Sequence, residues 1–99
     1  MELQEALAIL RAHRPEIATY GAQSIALFGS VVRGEAGPDS DVDILVDFAP
    51  GEVVGFFRFR RLRRYLEGIL GREVDLVTRA ALKPQLRERI LKEAVAAAA

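Results

Sequence analysis

The sequence predicts an α/β fold of the α+β type: one small β-sheet flanked by helices. Three observations carry that expectation. Apolar and polar residues alternate with period 2 at 41–48 and at 73–78, apolar stripes of helical period run through 2–13, 52–70 and 84–94, and 99 residues leave room for one core. A chain of this length buries about 60–65% of its unfolded surface, which suits a single domain spanning 1–99.

Taken in order, Leu3, Ala6, Leu7 and Leu10 form the i, i+3, i+4, i+7 stripe of a helix over 2–13, which Pro15 interrupts or restarts. The run 24–28 is short, apolar and closed by Gly29, so it reads as a buried strand. Residues 30–34 then suit a brief helical turn, and 35–40, with Gly37-Pro38-Asp39, a loop. In 41–48, Val42, Ile44, Val46 and Phe48 alternate with Asp41, Asp43, Leu45 and Asp47, giving a strand with one apolar face and one carboxylate-bearing face. Pro50-Gly51 ends it. Phe59, Leu62, Leu66 and Ile69 mark a helix within 52–70, with Gly71 as its C-terminal cap. In 73–78, Val74 and Leu76 face one way, and Glu73, Asp75 and Val77 the other. Pro84 opens a last helix, because Lys83 before it is driven extended; Leu86, Ile90, Leu91 and Ala94 supply its stripe. The alanines 96–99 read as the frayed end of that helix.

Composition excludes several function classes. Hydrophobic residues make up 51% and charged residues 28%, a globular balance. Without cysteine there is no disulfide framework, thiolate zinc site or cysteine nucleophile, and a reducing, cytoplasmic location is expected. No signal peptide opens the chain, and no apolar run is long enough for a membrane span. The net charge is zero, which argues against coating nucleic acid through bulk charge. The charges are nevertheless sorted. From Glu35 to Glu52 there are six acids and no base, and from Arg58 to Arg64 five arginines and no acid.

Three features carry chemistry. Asp41 and Asp43, on one strand face, attach about 6.5–7 Å apart, close enough for their side chains to share divalent cations. Mg²⁺ favours carboxylate and phosphate oxygens, and two such ions stabilise both attacking and leaving oxygens in phosphoryl transfer. An edge strand decorated with solubilising acids fits the same pair. Gly29-Ser30, after an apolar strand, lets backbone N–H groups and a hydroxyl approach an anion; a plain turn glycine with a capping serine fits equally. Asp75, on the polar side of the next strand, is a third carboxylate able to complete a metal site and help deprotonate a hydroxyl, or a solvated strand acid.

Together, Gly29-Ser30, ten intervening residues, Asp41-x-Asp43 and the distal Asp75 resemble the signature of the polymerase-beta-type nucleotidyltransferase superfamily. More narrowly, the stretches 25–34, 40–46, 71–78 and 86–94 are similar to the minimal nucleotidyltransferase (MNT) domain, over nearly the whole chain. The resemblance implies a mixed sheet with flanking helices, and Mg²⁺-dependent transfer of a nucleoside monophosphate from a nucleoside triphosphate such as ATP, with two ions. It also implies roles: Asp41, Asp43 and Asp75 as catalytic metal ligands, and Gly29, Ser30 and Arg33 at the nucleotide. Arg33 suits a phosphate and equally a structural ion pair; Ser40 is expected to cap the turn before its strand. Small members of the family resemble antitoxins that add AMP to a tyrosine of a HEPN-domain ribonuclease toxin, so such a toxin is the expected partner and acceptor. A weakly catalytic antitoxin that neutralises its partner by binding alone is the alternative. Direct nucleic-acid binding and a membrane are not expected, while an oligomer is compatible with the sequence.

The arginine block departs from that family's usual mixed or acidic helix. Arg60, Arg61, Arg63 and Arg64 fall opposite the apolar stripe and read as a solvated helix face or as a docking surface for an acidic partner. Phe56, Phe57 and Phe59 are assigned to the core, and His13 to a helix end.

Overall fold

Ile25 and Leu27, Val42, Ile44 and Val46, and Val74 and Leu76 are all buried on one face of a four-stranded sheet, and that shared face decides the architecture. The computed structural model describes residues 1–98. In chain order the elements are α1 (Leu3–Ala12), α2 (Arg14–Ala18), β1 (Ala22–Phe28), α3 (Ser30–Arg33), β2 (Val42–Phe48), α4 (Phe56–Leu70), β3 (Val74–Thr78), a 3₁₀ turn at Arg79–Ala81, α5 (Pro84–Glu93) and β4 (Val95–Ala98). The sheet order is β3-β2-β1-β4, with β1 antiparallel to both neighbours and β2 parallel to β3. It is a mixed sheet.

Register explains the shared face. Ile25 pairs with Val46 and Leu27 with Ile44 across β1 and β2, while Val42 pairs with Val74 and Ile44 with Leu76 across β2 and β3. Directly paired side chains project to the same side. On that side Ala6, Leu7 and Leu10 of α1, Ile17 of α2, Val31 of α3 and Leu62, Leu66 and Leu70 of α4 complete one apolar cluster. The opposite face carries Phe28, Asp43, Leu45 and Asp75, and is the polar one. Among the described residues no helix is long and apolar enough to cross a membrane.

Most boundaries follow the local rules. Pro15 sits in the first turn of α2, restarting the helical path after α1. His13 closes α1, with Nδ1 2.9 Å from the Ile9 carbonyl oxygen, and meets the Tyr65 ring edge-on. Gly71 takes φ +67° and ends α4, and extended Lys83 precedes Pro84 at the start of α5.

Three expectations are corrected. Phe56 and Phe57 are exposed instead of buried, and only Phe59 of the three leans inward, against Phe48. At about 100° per residue Phe57 lies opposite Leu66, so burying that leucine turns Phe57 to solvent. The alanine tail is not a frayed helix. Ala94 is already extended (ψ 135°), and Val95–Ala98 pairs with the second edge of β1, so tertiary pairing overrides alanine's helix propensity. Ala97 is buried there, its carbonyl accepting from Arg11 Nε at 3.3 Å; Ala99, the end of the expected tail, lies outside the described residues. The α5 stripe is also shallower than its pattern: Leu86 is exposed and Ile90, Leu91 and Ala94 are half-buried, because α5 covers the sheet only at its margin.

Candidate active site

The site begins where β1 stops. Phe28 is paired with Asp43 of β2, and the next residue, Gly29, turns the chain with φ +77° and ψ −149°, a conformation essentially reserved for glycine. Glycine is required for a second reason: a Cβ there would lie 2.0 Å from Asp43 Oδ2 and 2.9 Å from its Cγ. The Gly29 backbone therefore lies flat against the Asp43 carboxyl. Ser30 opens the four-residue helix α3, half-buried, and its hydroxyl has no hydrogen-bond partner among the described residues.

The carboxylates come together through strand register. Asp43 and Asp75 are direct partners across the parallel pair β2 and β3, about 4.8 Å apart at the backbone. Asp41 precedes β2 by one residue, held by the bond from the Val42 N–H to the Glu73 carbonyl oxygen (2.9 Å). Asp41 and Asp75 are exposed and Asp43 is half-buried. Burial, then the charge of Asp75, then that of Asp41, push the Asp43 carboxyl above the usual carboxylate range, against a smaller opposing pull from Arg33. The three acids thus form one electrostatic unit. A cleft of about 260 Å³ opens beside them, lined by Asp41, Arg63, Glu67, Glu73, Val74 and Asp75.

Among the described residues no three acidic, histidine or cysteine side chains converge into a ready-made metal cage. The donor chemistry nonetheless fits a hard divalent cation. Mg²⁺ takes one or two carboxylates and completes its shell with water and substrate phosphate, so Asp41, Asp43 and Asp75 supply what the protein side of such a site needs.

Arg33 donates from Nε to Glu35 (2.7 Å) and from Nη1 to Glu93 of α5 (2.8 Å), so the ion pair foreseen as one of its two readings is present. Those contacts raise its pKa further above the ordinary arginine value. Glu93 also accepts the Gly29 N–H at 2.9 Å, tying α5 to the same turn. Burial raises the Glu93 pKa, but the hydrogen bonds from Arg33 and Gly29 outweigh it and the net shift is downward. Sequence reasoning gave Glu93 no role. The available signal was an acid in the last turn of a helix, where the dipole disfavours it and another partner must compensate. Ser40 accepts the Gly37 N–H at 2.9 Å and closes the loop before β2, as its capping role requires. Asp47, further along the same face, is spent structurally on Arg79 (2.9 Å) and Ser24 (3.1 Å).

Comparison with known proteins identifies the family. The family profile described as nucleotidyltransferase domain matches residues 9–97. The protein adenylyltransferase MntA of Thermococcus cleftensis is 46% identical over 96 residues, covering 96% of this chain and 95% of that protein. Among solved structures, a candidate minimal nucleotidyltransferase superposes with a TM-score of 0.72 at 43% identity, over 96% of this chain and 95% of the other. A Shewanella oneidensis MNT antitoxin, solved in complex with its tri-AMPylated HEPN toxin, shares the fold at 19% identity (TM-score 0.63; 92% of this chain, 71% of that one).

Proposed function

The chain belongs to the nucleotidyltransferase domain family, and from that premise we propose that it transfers AMP from ATP to a protein hydroxyl, a tyrosine of a HEPN ribonuclease toxin that it thereby neutralises. The observation that carries this reading is the alignment of Asp43 with Asp75 beside Asp41, with Gly29 packed against Asp43. The turn, whose Gly29 N–H donates to the Glu93 carboxylate, lies next to the carboxylate cluster, and this pairing supports a metal-bound triphosphate as the ligand. A relative of 46% identity is named a protein adenylyltransferase, and solved relatives sharing the fold include one with AMP-PNP and one with an AMPylated HEPN toxin, which supports both donor and acceptor.

In this reading the tyrosine oxygen attacks the α-phosphorus of ATP. The new O–P bond forms as the bond to the β-phosphate breaks, and pyrophosphate leaves with that electron pair. Asp75, exposed at the mouth, takes the phenolic proton and passes it to solvent. Ser30 Oγ and the α3 turn orient phosphate oxygens. Asp41, Asp43 and Asp75 would hold Mg²⁺, which would supply positive charge to offset the triphosphate and the charge developing at phosphorus. Arg33, fixed by Glu35 and Glu93, contributes a guanidinium at the edge of the same turn.

The test is mass spectrometry of a HEPN-domain partner co-expressed with wild-type, Asp41→Asn, Asp43→Asn or Asp75→Asn protein. AMP-sized increments on a tyrosine with wild type, and none with the first two variants, are expected. Unmodified partner with every version, although neutralised, favours the binding-only alternative.

A further inference from the structure

On the side of the sheet opposite Asp43 and Asp75, α4 carries a surface that the fold leaves unused. Val53, Phe56 and Phe57 are exposed at 88%, 71% and 73% of their area, and the two phenylalanines pack edge to face on each other with centroids 5.7 Å apart. Single exposed apolar residues are ordinary, but three large ones within five positions make a patch. It continues into charge. Arg60, Arg61 and Arg64 are exposed and none has an ion pair among the described residues, whereas Arg58 is held by Glu52 at 2.7 Å. Helix α4 contains five arginines and one glutamate in a chain whose net charge is zero, so the excess is local. The second half of the helix reaches the sheet edge where Asp41 and Asp75 stand, because Arg63 and Glu67 line a cleft with them.

We propose that this surface docks the acceptor protein and that it fits an acidic protein surface with an apolar recess. The recess seats Phe56 and Phe57, the partner's carboxylates pair with Arg60, Arg61 and Arg64, and the partner's hydroxyl is thereby led to the cleft beside Arg63. The proposal rests on the protein-acceptor reading above. Charge complementarity commits it to an acidic partner, and aromatic residues beside arginines are the composition of a protein-binding hot spot. A nucleic-acid strand would meet the same arginines and exposed rings, and the poly(U) arm of the test distinguishes it.

The test uses a labelled random Glu/Tyr copolymer as the acidic probe and poly(U) as the nucleic-acid control, with binding read by fluorescence anisotropy on the intact chain. Wild type is expected to bind the copolymer, more weakly as salt rises from about 50 to about 300 mM. Arg60→Glu/Arg64→Glu should weaken that binding by about tenfold or more, and Phe57→Ser by about threefold or more, with ATP affinity and circular dichroism unchanged. The proposal is overturned if wild type does not bind the copolymer, or if both variants bind it as wild type does. It is equally overturned if poly(U) binds more tightly and loses binding in the same variants. Docking to the copolymer is read without ATP, so the surface is tested separately from the transfer reading, which the mass spectrometry of a HEPN-domain partner decides.

Discussion

Gly29→Ala tests the contact on which the site depends. The new Cβ meets Asp43 Oδ2 at 2.0 Å, Cγ at 2.9 Å and Cβ at 3.2 Å, in a backbone conformation with φ +77°. Rotation about the Asp43 Cβ–Cγ bond frees the oxygen but not Cγ, so either the carboxyl swings away or the strand end shifts. Backbone strain costs about 1–3 kcal/mol, and the overlap about 1–3 kcal/mol more. Against a total stability of about 5–15 kcal/mol this is a large loss. The two parts separate in a double-mutant cycle measured by urea denaturation. In an Asp43→Ala background only the 3.2 Å contact remains, so Gly29→Ala should there cost the backbone part alone, leaving a coupling of about 1–3 kcal/mol between the two positions. AMP transfer should be lost in Gly29→Ala even where the protein is folded. Coupling below about 0.5 kcal/mol, together with wild-type transfer, would refute the claim that Gly29 is shaped around Asp43.

Asp43→Asn should raise the melting temperature at neutral pH without divalent cations. The folded-state pKa of Asp43 is raised, so its ionisation destabilises the native state, and the advantage of Asn should shrink as pH falls through that raised pKa and be gone below the ordinary carboxylate range. Glu93→Gln should behave oppositely. Its folded pKa is lowered, so wild type gains stability above that range and loses it on acidification, and the difference between the two melting curves should close at low pH. Leu66→Ala, at a fully buried position of α4, should cost about 2–5 kcal/mol in denaturant unfolding; a loss under about 1 kcal/mol would mean that α4 is not seated on the sheet as described.

The strands and the polar site were legible because period 2 is a strict rule. Alternation at 41–48 assigns Val42, Ile44 and Val46 to the buried side and Asp43 to the other with no further information, and β3 repeats the logic. What was not legible depended on long-range partners. Four alanines carry no pattern that distinguishes a helix end from an edge strand, and the open edge of β1 decides. Phe56 and Phe57 are apolar and adjacent to a helical stripe, yet the rotation set by Leu62, Leu66 and Leu70 turns them outward. Glu93 lies 64 residues from Gly29, and only the packing of α5 brings its carboxylate to the amide.

Zero net charge, which argued against coating nucleic acid through bulk charge, is the sum of two separated populations. Burial, and then the crowding of the neighbouring acids, make Asp43 resist ionisation, and a cation that relieves this crowding also adds the charge a triphosphate requires. The arginines that approach Asp43 and Asp47 are held in ion pairs, Arg79 by Asp47 and Arg33 by Glu35 and Glu93. An unpaired arginine beside Asp43 would neutralise the carboxylates and compete with the metal, and Arg33, the basic group whose field reaches Asp43, is tied to Glu35 and Glu93. Under the proposed reading, the separation would leave the carboxylates free for a metal nucleotide and α4 free to recruit an acidic protein, so that neither set of charges cancels the other.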